Sequence, residues 1–255
     1  SESDYASRLA GNLEALILKE GPETIAAFIA EPIMGAGGVI LPPETYFEKV
    51  QAVLKKYDVS FIDDEVICGF GRTGNAFGAD TYNLNPDSIS LAKALTSAYQ
   101  PLSAVAVKNE VYEACLDASP EMGPFAHGYT YSGHPVACAV ALKTLEIYER
   151  DNIFGHAAEM SDKFQKRLHA LSDHPLVGES RGIGMIGAVE LVSDSVIIDH
   201  LGDALFFSGR KIEAVFQWKR ALEFNASDEL IIILKNKING DSLPKPGVNA
   251  ASKPI

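Results

Sequence analysis

Three side chains close two apolar runs of the sequence: Asp63 and Asp64 in FIDDEVICGFGRTG (61–74), and Lys93 in SISLAKALTSAYQPL (88–102). Each run reads as a buried parallel strand, which brings the acids and the lysine to the carboxyl edge of one sheet, where open α/β folds collect ligands. A lysine directly after an apolar strand is expected to be partly desolvated, which raises the fraction of free amine able to attack a carbonyl. A buried carboxylate needs a cation or several donors. Pyridoxal phosphate suits both groups, since its aldehyde condenses with a lysine and its pyridine nitrogen stays protonated opposite an acid. The competing readings are a solvent-facing lysine at a helix start and a carboxylate that caps the next helix or pairs with Arg72. Alternation along Phe61–Asp64 puts the two acids on opposite faces, and spacing does not choose between them.

The elements that must position these groups alternate. LAGNLEALILKEG has the helical rhythm of Leu9, Leu13, Leu16 and Ile17 and stops at Gly21-Pro22. TIAAFIAEPI is a short apolar strand emerging at Glu31-Pro32, and a Gly/Pro loop, GAGGVILPP, leads to a helix with Phe47, Val50 and Leu54 on one face. VSFIDDEV closes a strand, helix, strand unit. The 88–92 strand and SAVAVKNEVYEAC, a strand running into a helix, follow. Residues 137–171 read as two helices or one bent near Asp151-Asn152, and RGIGMIGAVELV as a glycine turn before a strand. This alternation predicts an α/β fold with a mostly parallel sheet flanked by helices. Beyond Val192 the signal is all helical, and 241–255 reads as a disordered tail.

Composition narrows the classes. The chain has 255 residues, 47% of them hydrophobic, enough for a sizeable core. A net charge of −12 argues against nonspecific binding to nucleic acid or anionic membrane. Cys68, Cys115 and Cys138 are odd in number and widely spaced, which fits neither a disulfide framework nor a paired metal site. No run approaches a membrane span and no signal peptide opens the chain, so a cytoplasmic protein is expected. His127 and His134 lack a third ligand at metal spacing and read as loop or capping residues, so no metal is expected. GFGRTGNAFG does not match a nucleotide fingerprint. Thr130, in HGYTYSGHP, offers a hydroxyl in a polar turn before a helix, where a phosphate could bind.

Four stretches in order, IAEPIMGAGGVILPP, IDDEVICGFGRTGNAFG, PDSISLAKALTSAYQPLSAV and HGYTYSGHPVACAVAL, resemble the class III aminotransferases, fold type I enzymes dependent on pyridoxal phosphate. By that resemblance Lys93 is the lysine that binds the cofactor and Asp64 the partner of its ring nitrogen. Val66 would pack on the ring face, and Glu31 would stand behind it. Thr130 would reach the phosphate held by a neighbouring subunit, which implies a homodimer with shared sites. Ala36 and SAYQPLSAV look most like the branch that moves amino groups from ω-amino acids or amines to pyruvate. The implied substrates are a small-molecule amine and an oxo acid.

Two departures are expected to matter. The family's N-terminal phosphate-binding turn and stacking aromatic are not visible before Glu31, so the chain reads as a fragment. After GAVELV, Leu201-Gly202, Leu205, Ala214, Trp218 and Ala221 resemble a single tetratricopeptide unit without its final proline, with Arg210 and Lys211 in the turn. The expected organisation is therefore 1–155 from the large transferase domain, 156–193 from the start of a small domain, 194–240 a tetratricopeptide-like segment, and 241–255 a tail. The alternative to an active transaminase is an incomplete or hybrid α/β binding module whose helical segment serves a protein partner.

Overall fold

The computed structural model describes residues 1–125, 127–192, 194–224 and 226–242; the tail expected over 241–255 lies outside them from 243 onward. The chain divides into two compact units. The first comprises Ser1–His174 with Ser180–Val189, and the second Pro175–Glu179 with the residues from Glu190 onward.

The first unit opens with α1 (Glu2–Glu20), which a capping box starts: the Ser1 hydroxyl accepts from the Asp4 N–H and the Asp4 carboxylate bonds back to the Ser1 nitrogen. It stops at Gly21, whose φ of 92° cannot continue a helix. β1 (Ala27–Ala30), α2 (Tyr46–Lys56) and β2 (Ser60–Asp64) form the expected strand, helix, strand unit. Phe47, Val50 and Leu54 of α2 meet Ala10 and Ile17 of α1 over Phe61 of β2, a core in which each large side chain contributes roughly 1.5–3 kcal/mol. A short helix, α3 (Gly78–Tyr82), precedes β3 (Ser88–Leu91) and β4 (Ala104–Val107).

The sheet runs in the order β1-β2-β3-β4, with the first two pairings parallel and the last antiparallel. The mostly parallel α/β sheet is thus the expected one, and the turn after β3 brings β4 back along the edge. α4 (Asn109–Met122) follows, then α5 (Pro135–Arg150) and α6 (Ile153–His169). The long helical stretch is two helices because Asn152, at φ 48°, takes the left-handed conformation that asparagine tolerates best among residues with a Cβ.

β5 (Val177–Ile183) and β6 (Ile186–Leu191) form a two-stranded sheet. The sequence showed only its turn and second strand, because VGESRGI has little apolar alternation. Within the first unit its tip closes on the glycine loop after β2. Met185 N–H donates to the Arg72 carbonyl at 2.8 Å, and Gln165 donates to the Gly184 and Ile186 carbonyls at 2.9 and 3.0 Å. Gly184 sits at φ 57°, and a Cβ there would run into the Thr73 carbonyl carbon. Gly184→Ala is therefore expected to cost about 2 kcal/mol or more of stability, readable as a lower urea midpoint by circular dichroism.

The second unit holds α7 (Ser195–Phe207), α8 (Lys211–Ala221) and α9 (Asp228–Asn239). Asp194 caps α7 by accepting from Val196 and Ile197, and Ser227 caps α9 by accepting from Leu230. Ile198, Ala214, Trp218, Ala221 and Leu234 form the core. Gly202 lets α8 approach α7, since a Cβ at that position would collide with the Trp218 ring. Lys237 donates to Asp199 and Asp203, and Trp218 Nε1 also donates to Asp203. Among the described residues no helix is long and apolar enough to cross a membrane.

Candidate active site

Parallel pairing of β2 with β3 sets Asp63 opposite Ile89 and Asp64 opposite Ser90, and Glu65 N–H extends the ladder by donating to the Ser90 carbonyl at 3.0 Å. Both strands end at one edge, with Asp64 the last residue of β2 and Lys93 two residues past β3. The expected juxtaposition of acid and lysine strand ends is present. Lys93 is fully outside the apolar run, however, and its side chain is exposed rather than partly desolvated. The reason is local: β3 stops at Leu91, and Lys93 opens a 3-10 turn, Lys93–Leu95, with φ at 45°.

The two acids divide as alternation requires. Asp64 is half-buried, and its Oδ1 accepts from Val66 N–H at 3.1 Å, the local capping role that competed with a ligand role in the sequence. Its Oδ2 accepts from no described residue. Asp63 is wholly buried, and neither of its oxygens has a donor; Glu65, also wholly buried, accepts from Ala79 N–H at 2.7 Å through Oε1 and leaves Oε2 unpaired.

Burial, with Glu65 close by, pushes Asp63 up to about 8. Glu65 is raised too, by burial, against the lowering effect of the Ala79 and Gly78 amides. Ionised carboxylates only accept hydrogen bonds, so the contact between these two becomes favourable when one of them carries a proton. Burial also pushes the neighbouring Cys68 thiol up to about 12, which removes it as a nucleophile. The buried Asp63–Glu65 pair was missed in the sequence; the signal was an acid at the same alternation position as the core residue Phe61.

The expected cofactor residues fall into three places. Val66 and Lys93 line a concavity of about 410 Å³ with Arg72 and Met185. Asp64 and Glu31 line a different one, about 640 Å³, beside Phe28, Met34 and Tyr46. Glu31 also accepts from Gly35 N–H at 3.3 Å, which fixes the start of the glycine loop. Thr130 lies in the exposed turn between α4 and α5 and lines neither concavity. His127 and His134 are exposed in the same loop, and no cluster of metal-ligating side chains occurs among the described residues. Cys68, Cys115 and Cys138 are all free thiols.

The family model of the class-III aminotransferases matches residues 1–207. The chain belongs to that family. It is 59% identical over 194 residues to gamma aminobutyrate transaminase 3, chloroplastic, of Solanum lycopersicum, covering 76% of this chain and 37% of that protein. It is 56% identical over 194 residues to vanillin aminotransferase of Capsicum chinense, with 76% and 42% covered. A thermostable omega transaminase mutant from Pseudomonas jessenii superposes with a TM-score of 0.74 at 55% identity, covering 77% of this chain and 44% of that one. The chain thus spans about two fifths of the length of the curated relatives it matches.

Class-III aminotransferases depend on pyridoxal phosphate, and the side-chain types at the ends of β2 and β3 suit that group, with Lys93 and Asp64 opening onto different concavities. Lys93 Nζ has no ion pair or hydrogen bond among the described residues, which leaves the amine open to an aldehyde. Asp64 keeps one carboxylate oxygen open to a protonated ring nitrogen. Val66 supplies an apolar surface beside Lys93.

Proposed function

We propose that the chain carries the cofactor core of a pyridoxal-phosphate-dependent transaminase that moves an amino group from an ω-amino acid or amine to an oxo acid such as pyruvate. The observation that carries the reading is the Lys93 amine just beyond β3, without a partner among the described residues, and the half-buried Asp64 carboxylate that ends the adjacent parallel strand β2 at the same sheet edge. When bound, the cofactor supplies an electron sink for the bond broken at the amine-bearing carbon. In this reading Lys93 would hold the cofactor covalently, and its amine, when free, would carry the proton removed from substrate carbon. Asp64 would keep the ring nitrogen protonated, Val66 would cover one ring face, and Glu31 would sit around the ring outside the side chains that touch it. Thr130, on its exposed turn, would bond the phosphate held by a second copy, and the assembly proposed is a homodimer.

The ω-amino acid and amine donors are supported by two kinds of relative, named gamma aminobutyrate transaminase and omega transaminase. Three unpaired cysteines support a reducing compartment, read as the cytoplasm. Incubation with pyridoxal phosphate, borohydride reduction and peptide mapping is expected to place one pyridoxyl group on Lys93; protein without that adduct would end the reading. The companion assay, alanine formation from pyruvate and γ-aminobutyrate, reports whether transfer follows binding.

A second reading, a hybrid module without catalysis, draws on the helical unit. Ile212 and Phe216 of α8 are 88% and 64% exposed, an apolar pair one turn apart that would suit a protein partner. In that reading 1–155 and 156–193 are pieces of the large and small transferase domains, and 194–240 is tetratricopeptide-like. A normal Lys93 adduct without amino transfer would favour it.

A further inference from the structure

Helix α5 sends one side chain back to the turn that carries Lys93. The Tyr148 hydroxyl donates to the Ala94 carbonyl at 2.7 Å and pairs with the Ser97 hydroxyl at 2.6 Å. Its ring packs 6.2 Å from the ring of Phe70, in the glycine loop that leads to Arg72, and 5.5 Å from Phe154 at the start of α6. One half-buried residue therefore touches the Lys93 turn, the Arg72 loop and α6. With Lys93, Arg72 and Met185 it lines a concavity of about 620 Å³.

The turn needs such support. Lys93, Ser97 and Ala98 have φ of 45°, 48° and 63°, and Phe70 has 64°. Residues with a Cβ avoid this conformation, and it persists where surrounding groups hold it. Within the turn Ala98 N–H reaches the Lys93 carbonyl at 3.4 Å, near the limit of a hydrogen bond, and the Thr96 hydroxyl donates to the Gln100 carbonyl at 2.6 Å. The Tyr148 hydroxyl adds the tie from outside the turn to the residue next to Lys93.

We infer that Tyr148 is a positioning residue for Lys93: its hydroxyl fixes the left-handed turn so that the amine leaves the end of β3 toward the Arg72 loop. The inference rests on the reading of Lys93 as the cofactor-bearing lysine. Tyr148→Phe keeps the ring and its packing and removes both hydroxyl contacts; Ser97→Ala removes only one.

In the full chain without cofactor, amide hydrogen exchange at Leu95–Tyr99 is expected to quicken about tenfold in Tyr148→Phe, the effect of one net hydrogen bond, and less in Ser97→Ala. Amides of α1 and α2 should keep their rates. With pyridoxal phosphate added, the induced circular dichroism per bound cofactor should drop in Tyr148→Phe, because the chromophore loses its fixed attitude to Lys93. Unchanged exchange at Leu95–Tyr99 overturns the inference. So does exchange raised evenly through the unit with unaltered dichroism, which is the mark of a role in stability alone. Absence of a borohydride-fixed Lys93 adduct in the wild-type protein, together with the local exchange change in Tyr148→Phe, overturns the cofactor reading and upholds the hold of Tyr148 on the turn.

Discussion

Lys237→Met is expected to destabilise the α7–α9 unit by about 4 kcal/mol, because it strips two buried or half-buried carboxylates of the one ammonium that pairs with them among the described residues. Lys237 Nζ lies 2.6 Å from Asp199 Oδ1 and 2.8 Å from Asp203 Oδ1, and its side chain is only 8% exposed. Methionine keeps the length of the chain and its position by the Trp218 ring, which the ammonium approaches at 5.8 Å. What is lost is therefore charge and hydrogen bonding, with Asp199 and Asp203 left facing each other. The chain has a single tryptophan, and Trp218 is buried in this unit, so urea titration followed by its fluorescence reads the loss locally. Adding Asp199→Asn and Asp203→Asn should recover most of the stability, since neutral amides remove the uncompensated charge. A loss under about 1 kcal/mol in Lys237→Met would show the cluster to be solvated and unimportant.

The Asp63–Glu65 pair makes the first unit depend on pH in an unusual direction. Asp63 rises from its ordinary 3.8 to about 8 in the folded protein, through burial first and the nearby Glu65 second. Below about pH 4 both folded and unfolded chains hold the proton, and no penalty exists. Between about pH 4 and 8 the unfolded chain has released it while the folded chain keeps it, so stability falls as pH rises. Each unit costs about 1.4 kcal/mol, which gives a loss of about 3 kcal/mol from pH 5 to 7. Asp63→Asn removes that slope and gives Glu65 an amide donor in place of a shared proton. Relative to wild type the variant should gain about 3 kcal/mol between pH 5 and 7, measured by urea unfolding with far-ultraviolet dichroism. Parallel wild-type and variant pH profiles would rule out a buried protonated Asp63.

Much of this arrangement was legible because strands and helices announce themselves by local pattern. AFIA, SFIDD and SISL are short apolar runs bounded by turns, and each is a strand; Gly21-Pro22 and Asp151-Asn152 break helices where backbone chemistry says they must. Lys93 and Asp64 stood out because charge is costly at the end of such runs. Other features depend on contacts across the chain and left no local trace. The exposure of Lys93 follows from a left-handed turn whose support, Tyr148, lies 55 residues later in the chain (148 − 93). The first strand of the β5–β6 pair was hidden because its partner, not its own composition, makes it a strand. Asp63 read as a possible ligand group, and its complete burial beside Glu65 makes it a residue of the core instead.

The β5–β6 tip also sets the order in which the site can be finished as the chain folds. Arg181 Nε donates to the Gly38 carbonyl at 3.0 Å across 143 residues, and Met185 closes on the Arg72 carbonyl from more than a hundred residues away. Contacts of such separation form late, because the loop entropy between them must be overcome before they contribute. Strands β1 to β3 can pair as soon as residue 91 is available. The glycine loops at 38 and 72, which border Glu31 and Lys93, stay unlatched until residues 181 and 185 arrive. A ribosome-bound chain therefore completes its sheet well before it completes the rim around the reactive lysine.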